Sequence, residues 1–165
     1  ESFGVNFHRN VQSVLGKSFE WGIIAEDLPD ESNEIVLDRK NVDSDGIPIP
    51  ELHYKSSENT SKLIDFHVDR AVEAHEASGA SSISVTKLMR DCGWHLLGTA
   101  RMGNDRNESV VDQFGRSHDC ANLYIIDGSV FVTSSGVNPT ATIMANALRS
   151  MRHLAETHTN QKTAI

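Results

Sequence analysis

Leu123-Tyr124-Ile125-Ile126-Asp127-Gly128-Ser129 and, after a loop through Ser134-Ser135-Gly136, Asn138-Pro139-Thr140-Ala141-Thr142-Ile143-Met144-Ala145 decide the reading of this chain. The first block is a short apolar run stopped by turn chemistry, the pattern of a buried strand. In the second, Asn138 is expected to cap a helix and Pro139 to occupy its first turn, where a missing N–H is harmless. Ile143, Met144, Ala147, Leu148, Met151 and Leu154 then form an apolar stripe to about Glu156. Arg149, Arg152 and His153 near its end suit the helix dipole. A strand ending in Asp-Gly beside a helix start offers a carboxylate and free backbone N–H groups. Such a pair can hold hydroxyls and an electron-rich ring edge. Taken alone, these residues are better explained as an Asp closing a turn and an Asn capping a helix.

Upstream, Gly93-Trp94-His95-Leu96-Leu97-Gly98-Thr99-Ala100-Arg101-Met102-Gly103 places a histidine between glycines and behind a tryptophan. An isolated histidine is ordinarily a packed, hydrogen-bonded residue, but in this setting it is also a candidate acid/base. Earlier in the chain, Ser57 to Ser78 reads as a helix capped by Ser57 or Ser61 and ended by Gly79. Its expected faces are Leu63, Phe66, Arg70 and Ala74, with Ile64, Val68 and Ala71 beside them. Phe19–Glu26 and Glu34–Leu37 read as strands of a hairpin across the turn at Leu28–Asn33. Asp43–Gly46 reads as a second turn, and Leu52–Tyr54 as a third strand. Thr157–Ile165 reads as a frayed tail.

The 165 residues suffice for one domain with a core, and their 38% apolar content is ordinary. A net charge of −8 argues against nucleic-acid binding, which needs clustered cations. No apolar run reaches the length of a bilayer span. Cys92 and Cys120 match no zinc spacing, and the eight histidines form no paired motif, so no metal site is expected. His67 and His75 read as solvated surface residues. The acidic run Glu26–Glu34 reads as a solvated turn, and Arg101 as a salt-bridge residue. Trp94 is an equal candidate for site wall or core. The chain starts at Glu1 with no signal-like segment, so the start reads as a cut inside a longer protein and localisation stays unreadable.

The combined motifs resemble the glucose–methanol–choline (GMC) oxidoreductases. Trp94-His95-x-x-Gly98-Thr99-x-Arg101-Met102-Gly103, Val110-Val111-Asp112, Asn122–Ser129 and Asn138–Ala145 follow that family's block order and near-family spacing. Leu28-Pro29-Asp30-x-x-Asn33-x-Ile35-x-Leu37 resembles its substrate-domain sheet more loosely. The resemblance implies an α+β chain: residues 1–90 part of an antiparallel-sheet substrate domain, 91–158 the C-terminal strand–loop–helix of an FAD-binding domain, 159–165 a tail. It implies a flavin-dependent dehydrogenase or oxidase acting on a CH–OH group of a small-molecule alcohol, sugar or sugar acid. His95 matches the family's active-site base and Asn138 its second position, which is His or Asn across the family. Asp127 and Gly128 match residues beside the FAD ribityl and pyrophosphate. Pro139 and Thr140 match the helix start that faces the flavin's pyrimidine edge. His95 and Asn138 are expected to converge within one substrate's width.

Leu96, Ala100 and Val132 stand where the family often has Pro, Cys and Pro. The family's Gly-x-Gly-x-x-Gly fingerprint is nowhere in the chain. A missing N-terminal FAD-binding half is therefore expected, and the chain alone is expected to be inactive and unable to hold FAD. Oxygen, a quinone or an electron-acceptor protein stay open as the acceptor. The alternative is a degenerate, non-catalytic relative that binds a ligand or partner.

Overall fold

A computed structural model describes residues 3–89 and 92–163. Three helices and a two-stranded antiparallel sheet make it α+β. Helix α1 (Phe7–Val14) comes first. Strands β1 (Glu34–Val42) and β2 (Pro48–His53) follow, then helix α2 (Glu58–Ala77) and helix α3 (Thr140–Thr163).

The hairpin forms across the second expected turn, not the first. β1 pairs β2 with Ile35 opposite Leu52 and Leu37 opposite Pro50. Asp43 builds the turn: its carboxylate accepts the amides of Asp45 and Ile47. Proline is tolerated in β2 because a two-stranded ribbon leaves each strand a free edge. Asn33 closes the base, its amide exchanging hydrogen bonds with the Lys55 backbone at 2.8 and 3.2 Å.

Phe19–Glu26 is not a strand. It runs as an extended strap along α2, with Phe19 stacked on His75 at 4.4 Å and Asp27 bonded to Thr60. The lengths match: from Thr60 to His75 the helix rises roughly 22 Å, and the strap from Phe19 to Asp27 reaches roughly 26 Å. The strap takes its support from helix side chains, so it needs no neighbouring strand. His75 and His67 are half-buried, contrary to the solvated reading, and the covered side of α2 runs through Ile64, Val68, Ala71 and Val72. Phe66 is 57% exposed and carries Arg70 over its ring, so the helix is rotated from the expected face. α2 itself matches expectation: the Ser57 hydroxyl accepts the Thr60 N–H, and the chain leaves at Ser78–Gly79.

The second half folds as a knot of loops around Val111 and Val130, both essentially fully buried. Leu123–Ile126 is extended but joins no sheet. Tyr124 makes one isolated bridge to Arg116, and Ile125 N–H bonds Gly115 O at 2.8 Å. Gly115 is obligatory there, since a Cβ would sit 2.3 Å from the Ile125 carbonyl oxygen. Asp112 seats this turn by accepting the Phe114 amide at 2.7 Å and the Arg116 amide at 3.1 Å. Phe114 packs against α3, with His153 stacked at 3.6 Å and Arg149 over its ring. α3 continues past Glu156 to Thr163, where a frayed tail was expected.

Candidate active site

The His95 segment and the Asp127 turn are held together by a backbone zipper. Gly98 N–H bonds Gly128 O at 3.4 Å, Ala100 N–H bonds Ser129 O at 2.9 Å, and Met102 N–H bonds Val130 O at 2.9 Å. The Asp127 carboxylate folds the turn by accepting the Ser129 amide and hydroxyl, and Gly128–Val130 forms one turn of 3-10 helix. Those two bonds, the hydroxyl first, hold Asp127 below the usual carboxylate range. Gly128 is buried, and a Cβ on it would stand 2.7 Å from Leu97 Cδ2 and 3.3 Å from both Ile143 Cδ1 and Leu96 O. The residues after His95, the Asp-Gly turn and the first turn of α3 thus meet at one point.

α3 begins one residue later than expected. Pro139 O accepts the first helical bond, from Ile143 N–H at 2.9 Å, so Pro139 is the cap position and Asn138 precedes it. Asn138 is exposed and makes no hydrogen bond, leaving its amide available to a ligand. The amides of Thr140, Ala141 and Thr142 start the helix without an intrahelical acceptor. His95 is half-buried. Two hollows flank the knot: one of about 330 Å³ beside Arg101 and Ser109, one of about 460 Å³ between Phe131–Thr133 and Thr142–Asn146 of α3. Neither is lined by His95 or Asn138.

Other candidates resolve simply. Arg101 donates to the Glu108 carbonyl at 2.6 Å, which pins the loop to Val110. Trp94 is 78% exposed and is not core. Cys92 and Cys120 are free and exposed. Among the described residues no group of three His, Cys, Asp or Glu is arranged for a metal.

Sequence reasoning missed Asp27. Its carboxylate accepts the Tyr54 hydroxyl at 2.7 Å and the Thr60 hydroxyl at 2.6 Å, and its carbonyl accepts the Ser134 hydroxyl at 3.3 Å. Glu26 accepts the Thr133 hydroxyl at 3.0 Å. Both acids are half-buried, so the acidic run is not simply a solvated turn. The partners lie 27 to 107 residues away, and no local pattern announces them.

A family model described as GMC oxidoreductase, for the family's C-terminal domain, matches residues 29–147. The chain is 40% identical over 129 residues to 2-methyl-1,2-propanediol dehydrogenase of Mycolicibacterium austroafricanum, covering 78% of this chain and 23% of that protein. It is 35% identical over 125 residues to the fructose dehydrogenase large subunit of Gluconobacter japonicus, covering 76% and 23%. It is 34% identical over 149 residues to 6'''-hydroxyparomomycin C oxidase of Streptomyces lividus, covering 90% and 27%. The chain therefore belongs to the GMC oxidoreductases and corresponds to their C-terminal region. It spans about a quarter of the length of these relatives.

Proposed function

We propose that this chain is the C-terminal part of an FAD-dependent dehydrogenase or oxidase that oxidises a CH–OH group of an alcohol, sugar or sugar acid. The observation that carries this reading is the junction at Gly128, where the His95 segment, the Asp127 turn and the start of α3 are packed together. The relatives oxidise small hydroxylated molecules, as their names state, which supports that substrate class.

The residues present suit FAD. One oxygen of Asp127 is taken by Ser129, and the other is free to accept hydroxyls such as those of a ribityl chain. The start of α3, where Pro139 leads into Thr140, offers the unbonded N–H groups of Thr140, Ala141 and Thr142 and a partial positive charge to an electron-rich ring edge. Gly128 contributes by letting Leu97 close over the turn. The remaining contacts, a dinucleotide-cradling glycine loop above all, come from residues outside these 165. When bound, FAD supplies the hydride acceptor that no side chain provides.

His95 accepts the proton of the substrate hydroxyl, since imidazole is the side chain best poised to do so near neutral pH. The Asn138 amide hydrogen-bonds the same oxygen and fixes its orientation. Together they would fix the substrate oxygen and take up its proton, the part of the oxidation that falls to this chain's own side chains.

The test uses the protein carrying its natural upstream residues. Denaturation should release close to one FAD per chain. His95→Ala should retain that FAD and slow flavin reduction by about a hundredfold or more. A folded protein without flavin would shift the reading to a non-catalytic binding relative, and an unchanged rate would remove His95 from the mechanism.

A further inference from the structure

We propose that Asp27 is a positioning residue: its carboxylate ties the end of β2 to the start of α2, and its backbone carbonyl then holds the loop that delivers Asn138. The inference deepens the proposed function and rests on that reading for the role of Asn138. Its structural part stands on the strap alone.

The chain of contacts runs through four elements. Ser57 caps α2 and its hydroxyl lies 2.9 Å from that of Thr60. Thr60, only 6% exposed, donates to one oxygen of Asp27, and Tyr54 donates to the other. Both carboxylate oxygens are therefore engaged, and the strap cannot rotate about Asp27 without breaking an ionic hydrogen bond. The strap also presents its backbone and Glu26 to residues 133–136. Ser134 bonds Asp27 O, and Thr133 bonds the Glu26 carboxylate. A Cβ on Gly136 would lie 3.0 Å from Ile24 O. This loop ends two residues before Asn138, whose own side chain has no anchor. Its location is set by the clasp on one side and by the start of α3 on the other. The Tyr54 phenol, pushed up to about 12 by its bond to Asp27, is a spectroscopic handle on the clasp.

The experiment compares Asp27→Asn, Asp27→Ala and Ser134→Ala in the protein with its natural upstream residues. NMR titration of Tyr54, assigned through Tyr54→Phe, reads the carboxylate. Thermolysin cleavage on the N-terminal side of Val137, which is 71% exposed, reads the loop. Flavin reduction, with and without Asn138→Ala, reads the coupling. The expected result is a Tyr54 titration that falls toward its ordinary value of about 10 in Asp27→Asn. Cleavage should rise about threefold or more in Asp27→Ala and Ser134→Ala. Asp27→Ala should slow flavin reduction about tenfold alone and add nothing to Asn138→Ala. Unchanged cleavage in both variants overturns the proposal, as does a loss that multiplies with that of Asn138→Ala. Should Asn138→Ala leave flavin reduction unchanged, the functional reading of Asn138 fails, and the cleavage rates alone decide whether Asp27 positions the loop. Ser134→Ala keeps the carboxylate contacts intact, so the comparison survives if Asp27→Ala does not fold.

Discussion

Single side chains in this protein do their work by closing loops, and Asp127 is the clearest case. The sequence marks it as a candidate cofactor-facing acid, and in the structure its carboxylate folds the turn that receives the His95 segment. Because the Ser129 bonds depress its folded-state pKa below the ordinary 3.8, it stabilises the fold above that value. The contribution fades as pH falls through the folded pKa. Urea midpoints measured from about pH 5 down to about pH 2 should therefore fall more steeply for the wild type than for Asp127→Asn. Parallel slopes would show that the Ser129 bonds do not favour the carboxylate. Gly128 and Gly115 act at the same scale by absence: each lets a neighbouring chain approach to a distance that a Cβ would forbid.

At the scale of elements, α2 is the organiser of the first half. Its N-terminus carries the Ser57 cap and Thr60, and its C-terminal turn carries His75 against Phe19. Ser57→Ala leaves the Thr60 N–H without its acceptor and should cost about 1 kcal/mol, measured as a shift in urea midpoint with an unchanged slope. A larger loss would mean that the cap also supports the Asp27 clasp through the neighbouring Thr60 hydroxyl. The hairpin is less constrained. β2 is exposed along its whole length, and Leu37 and Leu52 are 65% and 69% exposed, so its register rests on the turn at Asp43 and on Asn33. α3 is anchored from the side by Phe114, whose ring contacts both Arg149 and His153.

Across the whole molecule, two apolar side chains, Val111 and Val130, are fully buried among the described residues, while Trp94, Leu96 and Val137 around the candidate site are each more than two-thirds exposed. So small a core cannot offset much chain entropy. The 165-residue chain by itself should bind a hydrophobic dye strongly, melt over a broad range and purify without flavin. A yellow, sharply melting chain would contradict that expectation and would mean that Asp127 and the start of α3 suffice to retain the cofactor. The strap joins the portion before residue 90 to the loop before Asn138, so the two expected portions share polar contacts.

Local chemistry is what could be read without coordinates. The α2 cap, its end at Gly79, the Asp43 turn, and the order of motifs that marks a GMC oxidoreductase were legible because each depends on residues a few positions apart. Apolar patterning in Phe19–Glu26 and Leu123–Ile126 was legible too, but its meaning was not. An extended run looks the same whether it pairs with a strand, lies along a helix or threads a knot of loops. Those partners, the Gly128 junction and the Asp27 clasp emerge only in the folded chain. Each is made between residues far apart in the chain, where the choice of partner is a property of packing and not of the segment.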